Sequence, residues 1–453
     1  MSTADCAAVV VGAGIAGLAA ALELEKTTSE VIVLDAADRP GGVMRTDHVA
    51  GYVVERGPNT LQLKAPIYTA LREHHFDAAL VRAAAADRRR WIWRDAVLQA
   101  VPMSPLGFVR TPLLTPLGKL RLLAEPFVHR RDAAAESVAE FSTRRFGPQV
   151  AQRLVAPFLT GVYAGDERQL GASAVFGQLV EFERRTGSVL LGAAVAAFGR
   201  RKPPVPGGSW SALEGLGPFA RRLSERLAEP PALGAQVVGL RREAAAWCLD
   251  ISSPSGESQL RAQRVVLAVS APAAARLLGA LEPRCAELLA GVAYAPVVAL
   301  PLGIASDALT RPADGFGFLV PREAEASLLG CLFMSQLFSG RAPEGHELLH
   351  CMLGGTRWPE AVDAPDDLLL ERASRDLDRA LGLRGDPQPL GVARWPQAIP
   401  QPGRDHVARI AELRARLASL AGLALAGAYL DGVAVSDAFA SGLRAAQELA
   451  TPL

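Results

Sequence analysis

The chain has 453 residues, half of them hydrophobic and 6% aromatic, with a formal net charge of +1. That length supports two or three domains around sizeable cores, and the composition excludes a disordered chain and a nucleic-acid binder. Five cysteines (Cys6, Cys248, Cys285, Cys331 and Cys351) form no C-x-x-C pair, which argues against a zinc site or a disulfide framework and for a reducing compartment. With a first strand starting near Asp5, no signal peptide is expected, and the longest apolar stretch, 188–198, falls short of the about 20 residues a bilayer span takes.

In chain order, Val9-Val10-Val11 reads as a buried strand. Gly12-Ala13-Gly14-Ile15-Ala16-Gly17 reads as the turn into a helix, and residues 31–35 as a second strand ending in Asp35. Gly12 permits a tight turn, Gly14 lets a pyrophosphate approach the backbone, and Gly17 allows close helix-on-strand packing. Free N–H groups at the helix start suit phosphate, and Asp35, eighteen residues after Gly17, stands where a carboxylate bonds ribose hydroxyls. A dinucleotide ligand is therefore expected. Next, Arg39-Pro40-Gly41-Gly42 and Arg45 form a second glycine-bearing loop.

A strand at 51–55 leads into Arg56-Gly57-Pro58-Asn59, a turn that is either an ordinary surface loop or one that sets Asn59 beside a cofactor ring. A short helix is predicted over 66–75, and a hairpin over 91–98 turning at Arg94-Asp95. From 102 to 198 the periodicity becomes helical, with prolines at the joints, which predicts an all-helical insertion; within it, 161–166 reads as a non-helical, glycine-flanked segment. Residues 82–202 carry a charge balance of +9. Clusters such as Arg88-Arg89-Arg90 and Arg200-Arg201-Lys202 read as solvated helix faces or, jointly, as an attraction for an anionic surface or polycarboxylate.

Residues 202–208 read as a linker and 212–227 as a helix. Strands follow at 237–240, 247–251 and 265–269, then at 294–304, 316–320, 328–334 and 347–353, the last four in one mixed sheet forming the floor of a substrate site. Helices are predicted over 366–381 and 406–420, with a strand at 392–395 between them. The chain closes with a strand at 423–427, a break at 431–437 and a helix to 449, aiming a positive dipole end at a ligand.

Taken together, these segments resemble the oxygen-dependent protoporphyrinogen oxidase branch of the FAD-containing amine oxidase superfamily. The resemblance rests on the amino-terminal fingerprint, Arg39 to Arg45, Arg56 to Asn59, Gly161 to Asp166, Leu337-Phe338-Ser339-Gly340-Arg341-Ala342-Pro343, Ile399-Pro400-Gln401 and Gly432-Val433-Ala434-Val435. It implies an α/β fold: a Rossmann-like FAD-binding domain (1–82, 201–270, 396–453), a mixed-sheet α+β substrate domain (83–101, 271–395), and an all-helical membrane-docking insertion (102–200). FAD is the implied cofactor. By position, Gly12, Gly14, Ile15, Ala16, Gly17, Asp35, Arg39, Gly41, Gly42, Arg45, Gly57, Pro58, Asn59, Val237, Ala268, Trp395, Gly427, Gly432, Val433, Ala434 and Val435 would hold it.

The same resemblance implies that Asn59 and Phe338 bracket a macrocycle, that Arg90 pairs with a propionate, and that Gly161 and Gly165 line the cavity. A flat apolar tetrapyrrole with carboxylate arms calls for such a slot and a cation at its edge. The implied reaction is a six-electron oxidation of protoporphyrinogen IX with O2 as acceptor. Coproporphyrinogen III oxidation, an amine oxidase or carotenoid desaturase, and a flavin-binding protein without turnover stay open as alternatives. Implied partners are the porphyrinogen, O2, the inner face of the cell membrane, a second copy in a homodimer, and ferrochelatase as receiver of product, in the cytoplasm. The sequence departs from the family at Pro402, where a tyrosine is usual, at Ala428, and at Ser436-Asp437, where Asn-Asp is usual.

Overall fold

The computed structural model describes residues 3–94, 96–131, 135–199, 205–244 and 246–450. Asp95, Arg200, Arg201 and the first part of the expected linker, 202–204, lie outside the described residues.

Two sheets organise the chain. In the first, the parallel strands Ala232–Leu233, Val31–Asp35, Thr3–Val11 and Gly256–Leu267 lie side by side, with Leu423–Leu425 also parallel to the last of them. Ala246–Ser253 and Gln236–Glu243 extend this sheet antiparallel. Where these strands meet, residues 9–11, 31–34 and 265–267 are continuous Val/Ile/Leu runs, because both faces are covered there. The helices Ile15–Leu24 and Val435–Ala450 pack together on one face, so closely that a Cβ at Gly442 would overlap the Ala16 carbonyl.

The second sheet runs in the order Gln388–Pro389, Ala293–Ala305, His346–Gly354, Leu328–Phe333, Gly317–Leu319, Arg90–Arg94 and Val97–Ala100, with Ala393–Gln401 also on the long strand 293–305. It is mixed, since Gly317–Leu319 and Arg90–Arg94 pair in parallel. Alternation gives its two faces different work. Val298, Leu300, Leu302, Leu349, Cys351 and Leu353 pack against Leu369, Ala373 and Leu377 of the helix Asp366–Leu381. Asp366 and Asp367 complement that helix's dipole, and Gly382 at φ +67° ends it. The opposite face carries Leu332, Leu348 and Met352 and meets Tyr52 and Phe338.

Among the described residues, 102–131 and 135–199 form the expected helical segment, from Pro105–Arg110 to Val189–Gly199. Two local expectations are corrected and a third is extended. Residues 161–163 are helical, belonging to Ala156–Tyr163, because proline opens that helix and Ala164 (φ +49°) closes it, so the glycines lie inside and just past it. The helix expected over 212–227 is Leu216–Ser224, since Ser209–Ala212 pairs as a strand with Leu61–Gln62 and Leu80–Arg82. The strand at 51–55 is one arm of a hairpin, Thr46–Val49 with Tyr52–Glu55, whose first arm is too polar to read as a strand. All five cysteines are free and buried, and no helix among the described residues is long and apolar enough to cross a membrane.

Candidate active site

The amino-terminal turn is built by contact. A Cβ at Gly12 (φ +108°) would stand 2.5 Å from the Ala268 oxygen, and one at Gly17 would overlap the Gly12 carbonyl, so strand, helix and the Ala268 strand end close to van der Waals limits. Gly14 faces open ground, its nearest atom Gly42 Cα at 4.0 Å. The second glycine loop docks here: Gly41 N donates to Ala13 O at 2.8 Å, while Arg39 donates to Gly42 O (3.0 Å) and Met44 O (3.2 Å), holding the loop from behind. Helix Ile15–Leu24 has neither a side-chain cap nor an acid in its first turn, which leaves its N–H groups to an anion.

Asp35 accepts from Ala13 N (2.6 Å) and Ala37 N (2.8 Å), fixing a carboxylate at the rim of the turn. Ala235 N donates to Asp35 O, and Val237 packs among the core residues beside Leu34. Arg45 is exposed and pairs with Asp47 (3.2 Å).

Further along, the Gly57-Pro58-Asn59 turn is pressed so tightly against Val43 that a Cβ at Gly57 would overlap the Val43 carbonyl. Asn59 is buried, and its Oδ1 has no partner. At the other end of the chain, Gly427 N donates to Ser441 Oγ (3.0 Å), and Ala434 O accepts from Asp437 N and Ala438 N at the start of the terminal helix. Ser436 Oγ there is likewise buried and unpartnered. Val433 packs toward Tyr163, whose phenol is pushed up to about 12 by burial and by the charge of Asp437. Asp437 is ion-paired with Lys64. Orphaned buried polar atoms are rare in native folds, and these two fit a ligand that supplies the missing donors and acceptors.

Of the expected substrate residues, Phe338 and Arg90 lie at one apolar cluster, and Gly161 and Gly165 lie against other neighbours. Phe338 is 3% exposed and clusters with Tyr52, Val54, Met334 and Leu348. Arg341 stands 5.6 Å over the Phe338 ring, pairs with buried Glu55 (3.3 Å) and donates to Ser211 Oγ and Ala212 O. It thus ties the second sheet to the dinucleotide half. Arg90 stacks 4.2 Å over Phe316 and contacts Asp87 at 3.3 Å, with a buried, unpartnered Nε. Helix Ala156–Tyr163 packs Gly161 onto Leu319, and Gly165 lies against Gln401, whose Nε2 donates to Tyr163 O at 2.8 Å. Pro402 and His406 line a separate cavity of about 300 Å³, with Gly432 and Val433 in its wall. His406 opens the helix His406–Leu417 and contacts Leu430 O.

A family model for flavin containing amine oxidoreductases matches residues 15–450. The chain belongs to that family. A chloroplastic protoporphyrinogen oxidase of Nicotiana tabacum is 32% identical over 94% of this chain and 81% of its own length. The coproporphyrinogen III oxidase of Bacillus subtilis strain 168 is 27% identical over 93% of each. A crystal structure of a protein from Exiguobacterium sp. 255-15 superposes with a TM-score of 0.82 at 25% identity, covering 99% of both chains. As a member of this family, the protein is an FAD-dependent oxidoreductase, and the open glycine cradle and the unpartnered Asn59 and Ser436 atoms fit that cofactor.

Two polar side chains escaped sequence reading. His350 lies on the sheet face shared by Leu348 and Met352, and the period-2 pattern of its strand was the signal for it. Arg56 was visible only as the start of a turn. Burial first, and then the Arg56 charge, pushes the His350 imidazole down to about 4 from 6.5. An unfolded chain takes up that proton near pH 6.5 and the folded one only near pH 4, so stability falls as pH drops through this window. Relative to His350→Gln, the native protein should lose up to about 3 kcal/mol more between pH 7 and pH 4, read as unfolding midpoints.

Proposed function

We propose that this flavoenzyme oxidises protoporphyrinogen IX to protoporphyrin IX with O2, in three two-electron steps. Over the three steps the macrocycle loses four meso C–H and two pyrrole N–H hydrogens, one pair per step, and three O2 become three H2O2. FAD, when bound, supplies the hydride acceptor; the chain supplies the surface that receives a flat apolar substrate. The similarity to the tobacco enzyme over nearly the whole chain carries this reading. The position of Arg90 supports it: stacked on Phe316 beside the apolar cluster of Leu332, Leu348 and Phe338, it offers a cation for a propionate.

Coproporphyrinogen III is the second reading, favoured by the Bacillus relative matched over 93% of each chain. Offering both porphyrinogens to the holoenzyme and following porphyrin fluorescence with oxygen uptake decides between them. Faster protoporphyrin formation, with one O2 consumed per two electrons removed, is expected. Phe338→Ala should raise KM about tenfold or more and also cost about 3–5 kcal/mol of stability, since it empties a buried apolar cluster beside Arg90 and Phe316.

The insertion is further proposed to rest on an anionic membrane surface. Leu117, Leu120, Leu123 and Phe127, and on the last helix Leu191, Val195 and Phe198, are all exposed, amid the basic middle third of the chain.

A further inference from the structure

Four bonds converge on Arg56. Its Nε donates to Asp47 Oδ2 at 2.8 Å and its Nη2 to Leu390 O at 2.7 Å. Its main-chain N donates to Arg45 O at 2.7 Å, and its main-chain O accepts the indole N–H of Trp395 at 2.7 Å. The residue is 7% exposed. The loop opposite is shaped around the guanidinium, for Gly391 sits at φ +97° and a Cβ there would lie 3.0 Å from Nη2. Asp47 belongs to the hairpin of the dinucleotide half, whereas Leu390, Gly391 and Trp395 belong to the edge of the second sheet. One buried fork therefore spans the junction, and the chain runs from it straight into Gly57-Pro58-Asn59. Nothing in a single lysine ammonium reproduces two donors fixed at this angle.

We propose that Arg56 is a positioning residue for the flavin: its guanidinium fixes the backbone where the Gly57–Asn59 turn begins, and its main-chain oxygen, held in place that way, anchors the Trp395 indole, so that turn and indole form one rigid wall against which the bound ring rests. The role rests on FAD binding and not on which porphyrinogen is oxidised, so it stands or falls separately from the substrate reading. Arg56 touches neither reacting atom. It acts through Trp395 and Asn59, which predicts that Arg56 and Trp395 are coupled rather than independent.

The test compares purified holoenzymes carrying Arg56→Met, Arg56→Lys, Trp395→Phe, Asp47→Asn and the double change Arg56→Met with Trp395→Phe. FAD release on dilution is read by flavin fluorescence, the shape of the bound-flavin visible band by absorbance, and the fold by circular dichroism. Arg56→Met should release FAD about tenfold more readily and blur the visible band. Arg56→Lys should fall between it and the native protein, and the double change should be no worse than Arg56→Met alone. Native FAD retention and band shape in Arg56→Met overturn the proposal, as do losses that multiply in the double variant. If Arg56→Met does not fold, Asp47→Asn decides: it removes the charge from one anchor at a half-exposed position, and unchanged FAD release there overturns the proposal equally.

Discussion

Arg145→Met is expected to weaken the helical insertion by about 3–5 kcal/mol, the cost of stripping one partner from a buried ion pair. Arg145 and Glu125 are both fully buried and bonded to each other. Arg145 also donates to Val128 O (3.0 Å) and Gly187 O (3.1 Å). Glu125 accepts from Ser188 Oγ and from Val189 N (2.9 Å) and Leu190 N (3.2 Å), so a buried carboxylate caps the apolar helix Val189–Gly199. That helix is apolar on nearly every side, and the cap is what fixes its start. Without Arg145, the carboxylate stays behind, unpaired, in a dry site. Denaturant unfolding should then show the insertion melting ahead of the FAD-binding half, and cosedimentation with anionic liposomes should fall with it. Adding Glu125→Gln should restore part of the loss, because no lone charge remains. Native midpoints for Arg145→Met would remove the pair from any account of the insertion.

The second large effect is at the glycine turn. Gly17→Ala should yield a colourless protein with FAD affinity down more than about 100-fold and stability down about 3 kcal/mol, because its methyl group meets the Gly12 carbonyl, a backbone atom that cannot rotate away. Gly14→Ala is the informative contrast. Its methyl group meets no protein atom closer than 4.0 Å, so the fold should melt as the native protein does while FAD binding fails, the methyl group occupying the phosphate's space. Bound-flavin absorbance and melting temperature, read on both variants, separate a packing glycine from a ligand glycine.

Much of this was legible in the sequence, for identifiable reasons. The strand Val31–Asp35 and the helix Asp366–Leu381 fall at the expected residues because an apolar run, and a helix with acids in its first turn and a glycine at its end, carry their own boundaries. Residues 161–163 misled, since glycine lowers helix propensity while the packing of Gly161 on Leu319 requires a small residue within a helix. Ser209–Ala212 hid because a four-residue strand between two short partners has no period long enough to read. At the site, the glycine motifs were legible because backbone geometry demands the residue type. The ties made by Arg56 and Arg341 were not, because each depends on a partner far away in sequence, Leu390 for Arg56 and Glu55 for Arg341. Long-range polar pairs leave no periodic trace.

Anaerobic mixing of the holoenzyme with protoporphyrinogen IX tests the central reading most directly. The visible flavin band should bleach, porphyrin fluorescence should rise in step with it, and admitting O2 should restore the band with release of peroxide. A flavin that stays oxidised in the presence of protoporphyrinogen IX and of coproporphyrinogen III, yet bleaches with an amine, would contradict porphyrinogen oxidation and return the protein to the amine-oxidising part of its family.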